Sequence, residues 1–428
     1  MEIRRDIHLN RLIARRHNGM IKVVTGIRRS GKSYLLFTLF YNYLKNEGVD
    51  SEHIIRIDLE DRRNKALRNP DELLAFIDAK VVDDRMYYIL LDEVQLVKEF
   101  EDVLNSFLKV RNVDIYVTGS NARFLSKDVI TEFRGRGDDV KIQPLCFREF
   151  LSAKPEGSSR DRMLMEYMTY GGLPQIVTME SSAQKEDYLK DLFTHTYLRD
   201  IKERYNIKHD NDLAELIDVV ASSIGSLTNP LKLQNTFKSA KKSNITLDML
   251  KRYLDLLQDA FLIEKSVRYD IKGKKYINTP AKYYFEDLGL RNARLNFRQT
   301  EPTHLMENLI YNELRLRGMS VDVGQVVVNV KNGNGVSQRK HLEVDFVCNR
   351  GFKRLYIQSA LSLPTPEKAE QEFKSLLHIN DSFQKIVIVS GLAPTYQNDA
   401  GIIVMNIFDF LLDESSLSQK NDANVIEI

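Results

Sequence analysis

Eight residues, GIRRSGKS at positions 26–33, limit what this chain can fold into more than any other stretch. MIKVVTG (residues 20–26) is a β-branched apolar run stopped by glycine, and YLLFTLFYNYLK (residues 34–45) has the length and apolar face of a helix. Strand, G-x-x-x-x-G-K-[ST] and helix, in that order, make a loop that holds phosphate. Gly26 and Gly31 let the backbone close around the anion, so that the amides of Ile27, Arg28, Arg29 and Ser30 and the helix N-terminus face negative charge. Lys32 is expected at the β- and γ-phosphates and Ser33 on Mg²⁺. ATP with Mg²⁺ is the expected ligand pair.

Such a loop needs a second strand ending in an acid. MYYILLDEVQ (residues 86–95) supplies an apolar run closed by Asp92 and Glu93. Asp92 is expected to orient the magnesium shell and Glu93 to polarise the attacking water. The adjacent glutamate points to ATP hydrolysis and away from small-molecule kinases, where an acceptor hydroxyl attacks. A third strand, VDIYVTGSN (residues 113–121), ends in Ser120 and Asn121, which suit either a γ-phosphate sensor or an ordinary turn. HIIRIDLED (residues 53–61) reads as a further sheet strand. Strands alternating with helices predict an α/β fold, a P-loop NTPase with a parallel sheet covered on both faces. FRGRG (residues 133–137) carries Arg134 and Arg136. Either is expected to stabilise phosphate charge, within the chain or in a neighbouring subunit, unless the segment is a solvated basic turn.

At 428 residues the chain is too long for one core, and two to three domains are expected. Lys and Arg number 62 against 60 Asp and Glu, so any nucleic-acid surface must be local. The N-terminus MEIRRDIHLNRL has no uninterrupted apolar segment, and no stretch approaches the roughly 18 apolar residues of a membrane span. Cys146 and Cys348 are the only cysteines. They are expected as buried free thiols in a reducing cytoplasm, and their number leaves no zinc site.

GIRRSGKS, LLDEVQ, TGSN and the F-x-G-R segment, with QPLCFREFL (residues 143–151) and YGGLPQIV (residues 170–177), resemble a bacterial and archaeal family of AAA-type ATPases. The resemblance implies an ATPase of the AAA/ASCE type, then a winged helix and a C-terminal restriction-endonuclease-like domain. The expected division is residues 1–205 for the ATPase and its helical connector, 206–285 for the winged helix-turn-helix, and 286–428 for the nuclease-like domain.

The residues of the middle segment fit that order. NDLAELIDVVASSIG and LKLQNTFKSAKK read as amphipathic helices, and Thr246 is placed to cap a third, TLDMLKRYLDLLQDAFLI. Two strand-like runs, IEKSVRYD and KKYINT, follow as a wing. Residues 231–275 contain eleven Lys or Arg and five Asp or Glu, an excess of basic charge in a nearly neutral chain. Lys238, Lys241, Lys242, Lys251 and Arg252 gather around the recognition helix, and Lys272, Lys274 and Lys275 on the wing. The expected partner is DNA, with a protein contact as the alternative use of the same module. Nucleotide-dependent self-association is a further expectation.

In the last third, Glu307 on a helix and Asp345 on a strand match the first two carboxylates of a PD-(D/E)xK nuclease. Gln358-Ser359-Ala360 stands where Glu-x-Lys is expected. A neutral amide ligates metal poorly and alanine carries no charge, so cleavage is not expected. Glu343 and Lys353 are the nearby residues able to compensate.

Overall fold

The apolar runs around residues 21, 54, 87 and 113 form strands buried on both faces, as a sheet sandwiched between helices requires. A computed structural model describes residues 3–119, 133, 135–205, 207, 210–241, 245–331, 337–391 and 393–418. The first sheet contains β1 (Ile21–Thr25), β2 (Ile54–Asp58), β3 (Tyr87–Asp92), β4 (Val113–Thr118) and β5 (Gly137–Lys141). Their order is β2-β3-β4-β1-β5, and every pairing is parallel. Leu35, Leu36, Leu39 and Phe40 of the helical segment after the loop cover one face with Val24, Leu90 and Tyr116. Leu73, Ile77, Val103 and Leu104 cover the other with Val23, Ile57 and Leu91. All strands therefore end on one side, where open parallel sheets bind ligands.

The three helices after the connector are Asp210–Ser222, Pro230–Lys241 and Leu247–Asp259. Thr246 caps the last, its Oγ1 accepting from the Met249 amide at 3.2 Å. That helix buries Leu250, Tyr253, Leu254, Leu256 and Leu257. Its exposed side carries Asp248 and Asp255 as well as Lys251 and Arg252, so the charge along it is balanced.

The hairpin read as a wing, β6 (Ile263–Asp270) and β7 (Lys275–Phe285), belongs to a second, eight-stranded sheet. The other strands are β8 (Ser320–Lys331), β9 (Ser337–Arg350), β10 (Lys353–Ala360), β11 (Gln384–Val389), β12 (Tyr396–Gln397) and β13 (Ile403–Asn406). The order is β12-β13-β11-β10-β9-β8-β6-β7, and β6 joins β8 in parallel through residues 268–270 and 323–325. A boundary at residue 285 therefore cuts next to a continuous sheet. One apolar cluster also runs from Phe147 and Leu164 through Leu216, Leu254 and Tyr284 to Phe346 and Phe410, so a single core spans the expected divisions at 205 and 285.

Two segments distant in sequence lock together across this core. Asp287 Oδ2 accepts from the Gly172 amide at 2.8 Å. Asn292 Nδ2 donates to the carbonyls of Met168 and Thr169 at 2.9 and 2.8 Å. A Cβ on Gly289 would lie 2.0 Å from the Tyr170 carbonyl oxygen, so this approach requires glycine. Lys141, the last residue of β5, pairs with Glu264 of β6 and with Glu286, tying the first sheet to the second. Cys146 and Cys348 are buried and unpaired. Among the described residues, no helix is long and apolar enough to cross a membrane.

Candidate active site

The phosphate loop leaves β1 at Gly26, whose φ is +134°. A Cβ there would stand 2.1 Å from the Ile142 carbonyl oxygen, so the loop packs on the segment after β5 only as glycine. Gly31, with φ +96°, starts the helical segment that begins Lys32–Tyr34. Lys32 is only 5% exposed, and its Nζ donates to the carbonyls of Gly26 at 3.0 Å and Ile27 at 3.2 Å. Burial pushes its pKa down to about 8, against the pull of Glu93 and Asp92. Its ammonium is held by neutral carbonyls and faced by nearby acids. An anionic phosphate would complete that environment.

Asp92 ends β3 as a buried carboxylate, accepting hydrogen bonds from the Thr118 hydroxyl and the Ser33 hydroxyl. Burial raises its pKa, with these two bonds acting in opposition. Glu93 has left-handed backbone, φ +53°, an uncommon conformation for a non-glycine residue. Its amide donates to Thr118 Oγ1 at 3.1 Å, and Gln95 Nε2 donates to its carboxylate. One carboxylate and one hydroxyl beside a loop expected to take phosphate fit Mg²⁺, which takes few protein ligands and relies on phosphates and water for the rest.

Three contacts at this site escaped the sequence. Thr118 at the end of β4 joins Asp92 to the Glu93 backbone. Arg5, 3% exposed, donates to Glu149 Oε1 at 3.1 Å, the Ser30 carbonyl at 2.9 Å and the Gln143 carbonyl at 2.6 Å. It braces the loop from the N-terminal segment. Arg28 donates to Asp200 Oδ2 at 2.5 Å, while the Tyr197 hydroxyl donates to the Arg28 carbonyl at 2.7 Å. The connector segment YLRDI therefore touches the phosphate loop directly. Arg29 is exposed, and Ser30 is buried with its hydroxyl on the Ile27 carbonyl.

Arg136 does not join the site of its own chain. Its carbonyl accepts from the Ile21 amide at 2.8 Å, at the start of β1. The loop leaves the other end of that strand, about 13 Å away along its axis. Arg136 is exposed, with Nη1 3.4 Å from Asn105 Oδ1. Ser120, Asn121 and Arg134 lie outside the described residues.

The carboxylates of the last third meet at a second centre. Lys282, on β7 and 1% exposed, places Nζ 2.8 Å from Glu307 Oε1, 2.7 Å from Glu343 Oε1 and 3.6 Å from Asp345 Oδ1. The Tyr284 hydroxyl adds a bond to Glu307 at 2.7 Å. The carboxylates, Glu307 foremost, hold the Lys282 pKa above its ordinary value despite burial. Asp345 sits where β9 gains one residue against β8, a bulge that re-aims its side chain. Gln358 Oε1 accepts from the Asp345 amide at 3.3 Å, and the Ser359 amide donates to Asp345 Oδ2 at 2.8 Å. Ala360 packs in the apolar cluster beneath the sheet. Lys353 starts β10, roughly 16 Å along the strand from Gln358, and does not compensate. The cation among the carboxylates is Lys282, which lies beyond the two runs read as a wing. Among the described residues, no group of three His, Cys, Asp or Glu side chains is disposed to hold a metal ion.

Residues 18–151 match a family described as an AAA domain. Residues 161–301 match a domain of unknown function, DUF8612, which spans the connector, the three helices and the β6–β7 hairpin. An uncharacterized protein of Haemophilus influenzae is 36% identical, covering 96% of this chain and 98% of its own length. The uncharacterized protein MJ1544 of Methanocaldococcus jannaschii is 30% identical, covering 87% of this chain and 80% of its own. The structure of the Aeropyrum pernix ORC1 protein in complex with DNA aligns at 12% identity, over 69% of this chain and 92% of that one. Its TM-score of 0.28 is too low to bear on fold or function.

Proposed function

The chain belongs to the family of its Haemophilus influenzae and Methanocaldococcus jannaschii relatives and carries an AAA domain, and from that premise we propose a Mg²⁺-dependent ATPase whose hydrolysis changes its grip on DNA. The observation that carries this reading is the meeting of Lys32, Ser33, Asp92, Glu93 and Thr118 at one end of the parallel sheet. Lys32 binds the β- and γ-phosphates of the substrate, exchanging neutral carbonyl partners for anionic oxygens. Ser33 and Asp92 would hold Mg²⁺, which when bound neutralises charge developing on the phosphates. Glu93 takes the proton from the attacking water. Thr118, on the Glu93 amide and the Asp92 carboxylate, fixes the two acids relative to each other.

The loop also has a route to the rest of the chain. Arg28 reaches Asp200 and Tyr197 of the connector, which leads into the three-helix unit. A phosphate that draws Arg28 away from Asp200 would loosen that link, and this supports a change in domain arrangement with the nucleotide state. Arg136, exposed at the opposite end of the sheet, is available to a neighbouring subunit in a nucleotide-dependent homo-oligomer.

A second reading is a nucleotide-dependent switch that grips a protein partner through its helical and C-terminal parts. The balanced charge on the Leu247–Asp259 helix favours it. Under either reading the C-terminal domain does not cut phosphodiesters, because the Lys282 ammonium already occupies the space between the carboxylates that a metal would need. ATP turnover measured with and without duplex DNA separates the readings. DNA-stimulated hydrolysis supports the first, and hydrolysis indifferent to DNA supports the second.

A further inference from the structure

Charge on the second sheet is concentrated where two hairpins project together. Residues 271–282 and 326–342 contain no Asp or Glu, in a chain with 60 of them. From the first stretch come Lys272, Lys274 and Lys275, and from the described part of the second come Arg339 and Lys340. Lys274, Lys275, Arg339 and Lys340 are exposed, and among the described residues none has a carboxylate partner. Elsewhere the basic residues Arg28, Lys141, Lys154, Lys185 and Arg315 are all taken up in ion pairs.

The two hairpins are hydrogen-bonded to each other. The Ile271 amide donates to the Gln325 carbonyl at 3.0 Å, and Lys272 Nζ to the Val327 carbonyl at 3.1 Å. Across the β8–β9 ladder, Val327 pairs with His341, Val328 with Lys340 and Asn329 with Arg339. His341 Nδ1 lies 2.5 Å from Gln325 Nε2. Paired residues share a face of the sheet, so Arg339 lies with Asn329, and Lys340 with Val328 on the opposite face. Val326 and Val328 anchor the base of the arm in the core. Beyond them it is a two-stranded ribbon with amides and cations on its surface.

We propose that this ribbon, Val326 to Val330 with Ser337 to Leu342, together with the adjoining tip of the β6–β7 hairpin, is the surface that takes the backbone of duplex DNA. A two-stranded ribbon fits the roughly 12 Å major groove. Lys274 and Lys275 lie beside it to meet flanking phosphates, while Arg339, Asn329 and His341 form a polar row along one face. The inference rests on the DNA-associated reading above and moves the contact away from the Leu247–Asp259 helix, whose exposed bases alternate with acids.

The test is duplex binding by fluorescence anisotropy across a salt series, using the full chain and a mixed-sequence duplex. The variants are a ribbon variant (Lys274→Ser, Lys275→Ser, Arg339→Ser, Lys340→Ser), a charge-keeping variant (Arg339→Lys, Lys340→Arg) and a helix variant (Lys251→Ser, Arg252→Ser). The ribbon variant is expected to bind at least about tenfold more weakly, with a log–log salt slope smaller by about 3 to 4, since each lost phosphate contact removes roughly 0.9. The charge-keeping variant should bind as the parent does, which separates lost charge from lost folding. Parent-like affinity and slope in the ribbon variant, with loss confined to the helix variant, would overturn the ribbon while leaving DNA association in place. A parent that ignores duplex but binds polyglutamate would overturn both and identify an acidic protein as the partner.

Discussion

Two buried lysines, Lys32 and Lys282, show how one side chain serves opposite ends. Lys32 lies on two neutral carbonyls and its pKa is lowered. Lys282 lies among Glu307, Glu343 and Asp345 and its pKa is raised. Desolvation penalises both ammonium groups equally in kind. What differs is the charge supplied in return. At the loop after β1 compensation is incomplete, and an incoming anion would complete it. At the C-terminal centre the chain itself supplies the carboxylates that hold the cation. An incompletely satisfied cation makes a binding site, whereas a fully satisfied one makes a cross-link.

The sharpest break in that comparison comes from replacing each lysine with methionine. Lys282→Met leaves buried carboxylates without their cation and should destabilise the fold by about 3–5 kcal/mol, read as a lowered denaturant midpoint. Adding Glu307→Gln should recover part of the loss, because it removes one of the uncompensated charges. Lys32→Met should leave stability within about 1 kcal/mol of the parent, since its Nζ hydrogen-bonds neutral carbonyls and a poorly compensated buried charge is removed with it. The same change should weaken ATP binding by about 1.5–3 kcal/mol, roughly ten- to a hundredfold. Equal destabilisation by the two substitutions would erase the distinction.

A smaller effect follows from the Lys32 pKa of about 8. Bound phosphate raises that value, so the proton favours the complex. ATP affinity should be constant below pH 8 and fall above it, by at most about tenfold per unit, until the pKa of the complex is reached. Isothermal titration between pH 7 and pH 9.5 reads this directly, and Lys32→Met should flatten the profile. An affinity that rises with pH would contradict the sign.

The same contrast explains what the sequence disclosed. Gly26, Lys32 and Ser33 are fixed by local spacing, and Asp92 and Glu93 by the end of an apolar strand, so the meeting of these residues was legible from short patterns. Arg5, Thr118 and Lys282 act across separations that no local pattern records, since each matters only through a partner brought close by the fold. The β6–β7 hairpin was legible as two strands, but its place was not. Its parallel pairing with β8 depends on residues 268–270 meeting 323–325, a non-local choice with no signature in turn or periodicity. The bulge at Asp345 likewise comes from the β8–β9 register, and Lys353, on the same strand as Gln358, falls at its far end.

Glu93→Gln, compared with the parent for both ATP binding and ATP hydrolysis in Mg²⁺, separates holding the nucleotide from activating water. The amide preserves the shape beside Gln95 and Thr118 but cannot take a proton. Parent-like ATP affinity is expected, with turnover reduced by about 10²–10⁴-fold. Parent-like turnover in Glu93→Gln, or a parent that binds Mg²⁺ and ATP without hydrolysis, would contradict it.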